Sequence, residues 1–432
     1  MKAKTDIAVI GAGISGCAAA QVLQSQGIDY LLLERNADPG GLTRSFSIGE
    51  GHFDYTGHFL HLSRWANPAD IPFAKQNNLD WQKIGRNSGV YLDGRIVPAP
   101  LQYNLFALPE KLRRRCLENF RKRPRLQHPM NFQEYLLSGF GSGICEIFLF
   151  PYNEKMLAAS LDGISPDAAN RFFPSSDEKI IEEGSRRGRK IPPPGYNSWF
   201  WYPKFHGIGL LAKGLADGLD HLWTCCRVEK VDLDNKCLVT SRGRIRYTRL
   251  MTSTPLKTFC SLTDDRKLRT LAKKLSHNQV LCINLLVPKK NKKMIEGRHW
   301  IYVPDQSIPF YRLGVYSHLP LNCAPAGYSS VYMEVSFGSG GRPGISEVLK
   351  KAFQSLEKTG WFEGRDCQVI AAHWIDCAYV HFTPDREKAV AGIREILRAK
   401  GVHPIGRYGL WDYLSMEDSI YSGIETAGLI AS

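Results

Sequence analysis

The chain has 432 residues, 43% of them hydrophobic and 11% aromatic, which is too much for one core and suits two or three domains. A formal charge of +14 would attract any polyanion, so charge alone does not choose among nucleic acid, anionic lipid and phosphorylated small molecules. The 11 cysteines show neither a Cys-x-x-Cys pair nor His/Cys spacing, which excludes a zinc-finger or disulfide scaffold and predicts no metal.

No run reaches about 18 uninterrupted apolar residues, so no membrane span is expected. The first residues lead into a four-residue apolar run, Ile7-Ala8-Val9-Ile10, too short for a signal peptide. A cytoplasmic protein with reduced thiols is the simplest expectation. Basic clusters at Arg113-Arg114-Arg115, Arg121-Lys122-Arg123, Arg186-Arg187 with Arg189-Lys190, and Lys289-Lys290 with Lys292-Lys293 read as solvated faces. No nucleic-acid-binding motif accompanies them, so nucleic acid is not an expected partner.

The apolar run is a strand that enters Gly11-Ala12-Gly13-Ile14-Ser15-Gly16 and then a helix-forming stretch from Cys17 to Gln26. Gly11 permits the tight turn, Gly13 lets backbone approach a pyrophosphate, and Gly16 lets the helix pack on the strand. The helix N-terminus then faces the phosphates. A second strand, Tyr30-Leu31-Leu32-Leu33, ends on Glu34, where a carboxylate accepts both hydroxyls of an adenosine ribose and disfavours a resident cofactor with a 2′-phosphate. Six residues on, Gly40-Gly41 precedes Leu42-Thr43-Arg44-Ser45, a spacing that resembles the second turn of the glutathione-reductase-like flavoproteins. That resemblance favours FAD over NAD.

Residues 108–172 read as helical, with helices over 110–120, 132–137 and 142–150. Residues 175–195 are polar and basic and end in Pro192-Pro193-Pro194, which predicts a long loop. Trp199-Phe200-Trp201-Tyr202 follows, then a turn at His206-Gly207-Ile208-Gly209 and a helix over 210–219. Strands are predicted at 227–233 and 250–253, and a mostly antiparallel set at 280–287, 299–303, 310–316, 329–336 and 369–375. Gly406-Arg407-Tyr408-Gly409, with Met416-Glu417-Asp418-Ser419 opening a helix, would return the chain to the cofactor. The expected fold is α/β, a Rossmann-type FAD-binding domain with a helical insertion and a mostly antiparallel substrate-domain sheet. Its expected division is 1–75, 200–265 and 385–432 for the FAD domain, 105–198 for the helical domain with a mobile 175–195, and 76–104 with 266–384 for the sheet.

Several spaced segments resemble the UDP-galactopyranose mutase family, its eukaryotic type more than its bacterial one. Asp54-Tyr55-Thr56-Gly57-His58 is similar to the family's histidine loop, and 95–102 to its nucleotide-contacting stretch. Phe140-Gly141 through Pro151-Tyr152-Asn153-Glu154-Lys155, then Asn170-Arg171 and Gly195-Tyr196-Asn197, resemble its helical-domain, pyrophosphate and substrate signatures. His299-Trp300-Ile301-Tyr302-Val303-Pro304 with Pro309-Phe310-Tyr311-Arg312 is the most specific match. Tyr379 with Arg386, and the run from Gly406 to Tyr413, complete the pattern.

The resemblance implies catalytic roles for His58, Arg171 and Arg312, and substrate contacts from Gln102, Asn197, Trp300, Tyr302, Tyr379 and Tyr413. It implies cofactor contacts from Gly11, Gly13, Ser15, Gly16, Glu34, Arg35, Gly41, Leu42, His58, Val228, Arg407, Met416 and Ser419. The implied reaction interconverts pyranose and furanose forms of a nucleotide sugar, by default UDP-galactose. Reduced flavin N5 attacks the anomeric carbon, and NAD(P)H serves as external reductant. Forked guanidinium donors at Arg171 and Arg312 suit the diphosphate oxygens.

Ala99 and Leu101 stand where the family has aromatic residues against uracil, a loss on the order of 1–3 kcal/mol unless replaced, for example by Tyr103 or Phe59. A net-redox FAD oxidase or desaturase of the amine-oxidase or protoporphyrinogen-oxidase type shares the glycine turns and remains an alternative. A flavin-containing scaffold that uses its basic clusters on an anionic partner is a third. The glycine fingerprint makes a direct prediction. Purified protein carries FAD, and Gly13→Asp, which sets a carboxylate against the pyrophosphate, largely abolishes it; full occupancy of a folded variant, read by absorbance of released flavin, would overturn the dinucleotide site.

Overall fold

The computed structural model describes residues 4–49, 51–74, 80–169, 173–174, 176–186, 188, 190–193, 195–289, 295, 297–319, 324–362 and 366–431, the side chain of Tyr196 excepted. The strand Lys4–Ile10 pairs in parallel with Tyr30–Leu33 on one side and with Gly243–Thr252 on the other. Tyr30–Leu33 is buried at every position, as expected of a strand covered on both faces. Leu222–Trp223 extends this edge in parallel. Val228–Asp232 and Cys237–Thr240 add antiparallel strands beyond Gly243–Thr252, and Val402–Pro404 pairs in parallel with that strand's far end. One sheet is therefore assembled from distant parts of the chain.

The second sheet runs in the order Gln368–Ile375, Asn278–Pro288, Tyr328–Gly338, Arg312–Val315, Trp300–Tyr302, Ser88–Leu92, Arg95–Pro98. Every pairing in it is antiparallel except that of Trp300–Tyr302 with Ser88–Leu92. Its outer face is closed by the helix Ile345–Thr359, whose Val348, Ala352 and Leu356 are buried with the sheet residues Leu281, Ile283 and Met333.

The helical segment differs from its sequence reading in two places. The helix over 142–150 is a continuation of Phe132–Ile144 through a π-turn, Cys145–Leu149, into Phe150–Leu157. The kink between the two predicted pieces is at Gly141 (φ 73), where a Cβ would stand 2.5 Å from the Asn119 carbonyl of the neighbouring helix Glu110–Arg121. Only glycine allows that approach.

The predicted loop over 175–195 contains a helix, Glu178–Arg186. Ile181 is fully buried, and a Cβ at Gly184 would stand 2.1 Å from the Tyr103 carbonyl. Arg121 donates from Nε and Nη2 to Glu182, both at 2.6 Å, and Arg123 donates to Glu178 at 2.6 Å. The basic runs of the first helix thus find acids on this one, a tertiary match that a polar, proline-ended stretch conceals. The runs at 113–115 pair with Glu110 and Glu146, as solvated faces do.

Lys155 is among the contacts that tie the helical segment to the second sheet. Lys155 Nζ donates to the carbonyls of Val303 at 3.0 Å and Asp305 at 2.7 Å. Burial pushes its ammonium down to about 7, against an unfolded value of about 10.4. The unfolded chain therefore binds this proton more tightly, and the cost of the buried charge is fully present below about pH 7 and fades as pH rises toward 10. Chemical denaturation of the natural chain and Lys155→Met across that range checks this: the natural chain gains stability relative to the variant, and a flat difference would show that the ammonium is not penalised.

Candidate active site

The first turn is shaped as the glycines require. Gly11 has φ +94, and a Cβ at Gly16 would stand 1.9 Å from the Gly11 carbonyl, so the helix Ile14–Ser25 packs directly on the turn. At Gly13 nothing lies within 4 Å of a Cβ position, which leaves room in front of the helix N-terminus. The second turn closes on the first: Gly40 N–H donates to the Ala12 carbonyl at 2.6 Å, and Gly41 faces Gly13.

Glu34 is 6% exposed and accepts from Ala12 N–H at 3.0 Å and from Asn36 N and Nδ2 at 2.9 and 2.7 Å. A carboxylate has about four lone-pair sites, so acceptor capacity remains for a ribose. The C-terminal helix Met416–Ala431 crosses the same turn, with Gly423 against the Ser15 carbonyl and Gly406 against Ser15 Oγ. Ser15, Val228, Met416 and Ser419 are buried, Leu42 and Arg407 half-buried and Arg35 exposed. An open Gly13, a ribose-facing acid and paired glycine turns fit a dinucleotide.

His58 Nδ1 is shut from solvent and has no partner among the described residues. Its low-dielectric surroundings push the imidazole down to about 4, so it is neutral near pH 7.

A cleft of about 440 Å³ lies between the helical segment and the second sheet. Arg86, Gln102, Asn197, Tyr302, Arg312, Tyr379 and Tyr413 all line it, together with Tyr152, Asn153 and an apolar wall that includes Phe132, Phe148 and Phe173. Among the described lining residues there is no carboxylate. Arg312 donates from Nε and Nη2 to Glu334, at 2.7 and 2.8 Å, and Thr56 Oγ1 donates to the same carboxylate at 2.5 Å. Burial pushes Glu334 up, but the guanidinium outweighs it and holds the carboxyl below its usual range. Burial raises the Tyr152 and Tyr413 hydroxyls, which stay neutral donors.

Arg86 and Tyr152 line the cleft without having been singled out as contacts by the sequence. Arg86 sits outside any motif; it donates from Nη2 to the Tyr302 hydroxyl at 2.6 Å and lies over the Trp300 ring at 4.9 Å. Tyr152, inside the quoted helical signature, packs its ring 5.1 Å from Tyr302.

Gln102 is 1% exposed, and both of its amide atoms lack a partner among the described residues. Leaving such groups unmade costs about 1–3 kcal/mol each, which makes this amide in the cleft wall a candidate ligand contact. Trp300 is placed differently from the rest: it is 4% exposed, stacks on Phe59 at 4.8 Å and supports Arg86 from behind the cleft wall. Ala99 is in the wall, whereas Leu101 and Tyr103 are fully buried and neither they nor Phe59 line the cleft. Arg171 lies outside the described residues. Arg407, on the cofactor side, stacks 4.5 Å over the Tyr413 ring, so the cradle and the cleft adjoin.

Among the described residues, no group of His, Cys, Asp and Glu side chains could hold a metal ion, and no helix is long and apolar enough to cross a membrane. Residues 9–69 match the NAD(P)-binding Rossmann-like domain family. Protein germ cell-less of Drosophila melanogaster is 28% identical over 169 residues, 36% of this chain, and the chain spans 30% of that relative's length. The crystal structure of reduced UDP-galactopyranose mutase superposes with a TM-score of 0.90 at 25% identity, covering 99% of this chain and 95% of that one. A putative protoporphyrinogen oxidase from Exiguobacterium sp. 255-15 has a TM-score of 0.76 at 16% identity, covering 99% and 98% of the two chains, and putrescine oxidase 0.65 at 14%, covering 100% and 99%; both share the fold. The chain therefore carries the Rossmann-type flavoprotein fold and, as its motifs implied, resembles UDP-galactopyranose mutase over its full length.

Proposed function

We propose that the protein is a flavin-dependent nucleotide-sugar mutase that interconverts pyranose and furanose forms, with UDP-galactose as the default substrate. The observation that carries this reading is the cleft: two guanidinium groups, four tyrosine side chains and no carboxylate among its described lining residues, beside a dinucleotide cradle. Such a wall suits a diphosphate. FAD is the proposed cofactor, held by the glycine turns, Glu34 and the start of the C-terminal helix. In its reduced form it would supply a nucleophilic nitrogen at the sugar's anomeric carbon, with NAD(P)H as the proposed reductant.

The chain's own groups do the remaining work. Arg86 and the Nη1 of Arg312 hold the diphosphate while it is bonded to the sugar and after it leaves, and Tyr302, Tyr379 and Tyr413 add neutral donors that do not repel it. Gln102 presents its unpaired amide to a base edge. His58, neutral at working pH, contacts the flavin without adding charge. Arg171 is assigned a diphosphate role by the resemblance alone. One observation favours the alternative FAD oxidase or desaturase: Ala99 in the cleft wall offers no stacking surface where the resemblance implies one beside uracil.

The reaction itself separates these readings. One anaerobic reduction with dithionite supports many turnovers of UDP-galactofuranose to UDP-galactopyranose, and oxidised protein is nearly inactive; an oxidase instead consumes one acceptor equivalent per product. Absence of isomerised product from reduced protein across UDP-, TDP-, GDP- and CDP-sugars, followed by chromatography, sinks the proposal.

The Arg312 role needs a test that separates folding from binding. Arg312→Ala strands the buried Glu334 and is expected to destabilise the fold by about 3–5 kcal/mol, seen as a lowered melting temperature. Arg312→Ala with Glu334→Gln removes both charges and restores much of that stability. Its affinity for UDP, measured by calorimetry, is expected to fall by about 2–5 kcal/mol; unchanged affinity in the double variant rules out Arg312 as a diphosphate ligand.

A further inference from the structure

The segment that carries His58 is held at both ends. Its first residue, Asp54, closes the strand Gly51–Asp54 opposite Ser45, and at its far end Leu60 and Trp201 exchange N–H and carbonyl at 3.2 and 2.7 Å. Asp54 is fixed twice. Its carbonyl accepts from Asn284 Nδ2 and from the Tyr316 hydroxyl, each at 3.3 Å, on the side of the second sheet. Its side chain accepts from Ser45 Oγ and the Tyr202 hydroxyl, both at 2.6 Å, and from Ile208 N–H at 3.0 Å. Ser45 Oγ accepts in turn from Gly209 N–H at 2.7 Å. Gly207 has φ +75, and a Cβ there would collide with the carboxylate, so the turn 207–209 is shaped around this one group.

Asp54 is 1% exposed, and no cation pairs with it among the described residues. The other titratable groups that face it are hydroxyls and a thiol: Tyr202 from the strand Trp199–Pro203, Tyr316 just after the strand Arg312–Val315, and Cys282 in the strand Asn278–Pro288. Arg44, beside Ser45, lies over the Tyr55 ring at 4.6 Å, and His206, beside Gly207, meets the His52 ring edge-on at 5.3 Å. A buried carboxylate held by neutral donors alone is poorly compensated. Burial pushes Asp54 up to about 7, against three donors that favour its charge.

We infer that Asp54 is a positioning residue: its ionised carboxylate clamps the entry of the histidine loop to the turn 207–209 and so sets the placement of His58 against the cofactor. Thr56 anchors the same loop to Glu334, a carboxyl that burial pushes up but Arg312 holds below its usual range. Asp54 is therefore the anchor that a proton loosens. Once protonated it must donate a hydrogen, and Ile208 N–H can only donate, so Ser45 or Tyr202 has to turn its own hydrogen away and the clamp keeps fewer donors. The inference rests on the assignment of His58 to the flavin and not on the sugar chemistry.

The visible spectrum of the bound oxidised flavin, titrated from about pH 5 to about pH 9, tests this on the natural chain, Asp54→Asn, Tyr202→Phe and His58→Ala. Released flavin is measured to confirm loading of every sample. His58 and His373 are pushed by burial down to about 4, below this range, and His206 is kept in all four proteins. The natural chain is expected to show a one-proton change with its midpoint near 7. Asp54→Asn keeps the side chain's shape and abolishes the change; Tyr202→Phe removes a donor to the charged form and moves the midpoint up by about one unit; His58→Ala, which deletes the group being positioned, removes most of its amplitude. Should Asp54→Asn fail to hold flavin, the other two variants decide. No transition in the natural chain, a transition retained in Asp54→Asn, an unmoved midpoint in Tyr202→Phe, or full amplitude in His58→Ala each overturns the inference. The mutase reading fails separately, through absence of isomerised sugar from dithionite-reduced natural protein, an outcome that leaves these flavin titrations intact.

Discussion

Glu334 lies in the long strand Tyr328–Gly338 with 1% of its surface exposed, directly across from Arg312 in the neighbouring strand. It takes two donors from that guanidinium and one from Thr56, next to Gly57 and His58 in the histidine loop. A buried carboxylate without partners costs several kcal/mol, so this arrangement holds only if sheet, arginine and loop are assembled together. The loop that would face the cofactor and the arginine that faces the cleft thus have one fixed relation. Remaining donors of Arg312 are aimed by an anchored guanidinium rather than by a flexible side chain, which is the preorganisation that binding a transferred charge needs.

The same region is packed as tightly as it is bonded. Tyr332, two residues from Glu334, lies across Gly57 and Gly314, where a Cβ at either position would come within 2.0 Å of the phenol. Gly57 therefore serves this ring as well as the loop's turn, and a larger residue there would push the histidine loop off the sheet. The C-terminal helix meets the first helix through Gly423 at the Ser15 carbonyl. Close helix approach through glycine brings Ser419 and Met416 to the first turn from the far end of the chain.

Around these fixed points the cleft has a marked charge character. Its described wall has donors and no acid. On the surface, by contrast, the arginines of 113–123 pair with Glu110, Glu146, Glu178 and Glu182. The global charge of the chain is therefore a poor guide to where an anion binds, because it does not separate paired surface arginines from those that face the cleft.

Local rules made much of this protein legible from its residues. Glycine spacing after an apolar strand dictates a turn whatever surrounds it, and short apolar runs mark the strands of the second sheet, since both depend on backbone sterics and side-chain character over a few residues. That Tyr302, Arg312, Tyr379 and Tyr413 line one cleft agrees with the family resemblance of their segments, which no local rule supplies. What the sequence alone did not reveal depends on partners far along the chain. The helix Glu178–Arg186 exists because Arg121 and Arg123 meet its acids and Tyr103 receives Gly184; Trp300 backs Arg86 instead of lining the cleft because Phe59 stacks on it; and Arg86 is a cleft residue because Tyr302, 216 positions away, fixes its guanidinium. A residue's type and near neighbours determine its local conformation, but whether it faces a ligand or another side chain is settled only when burial and unpaired charge are balanced over the whole fold.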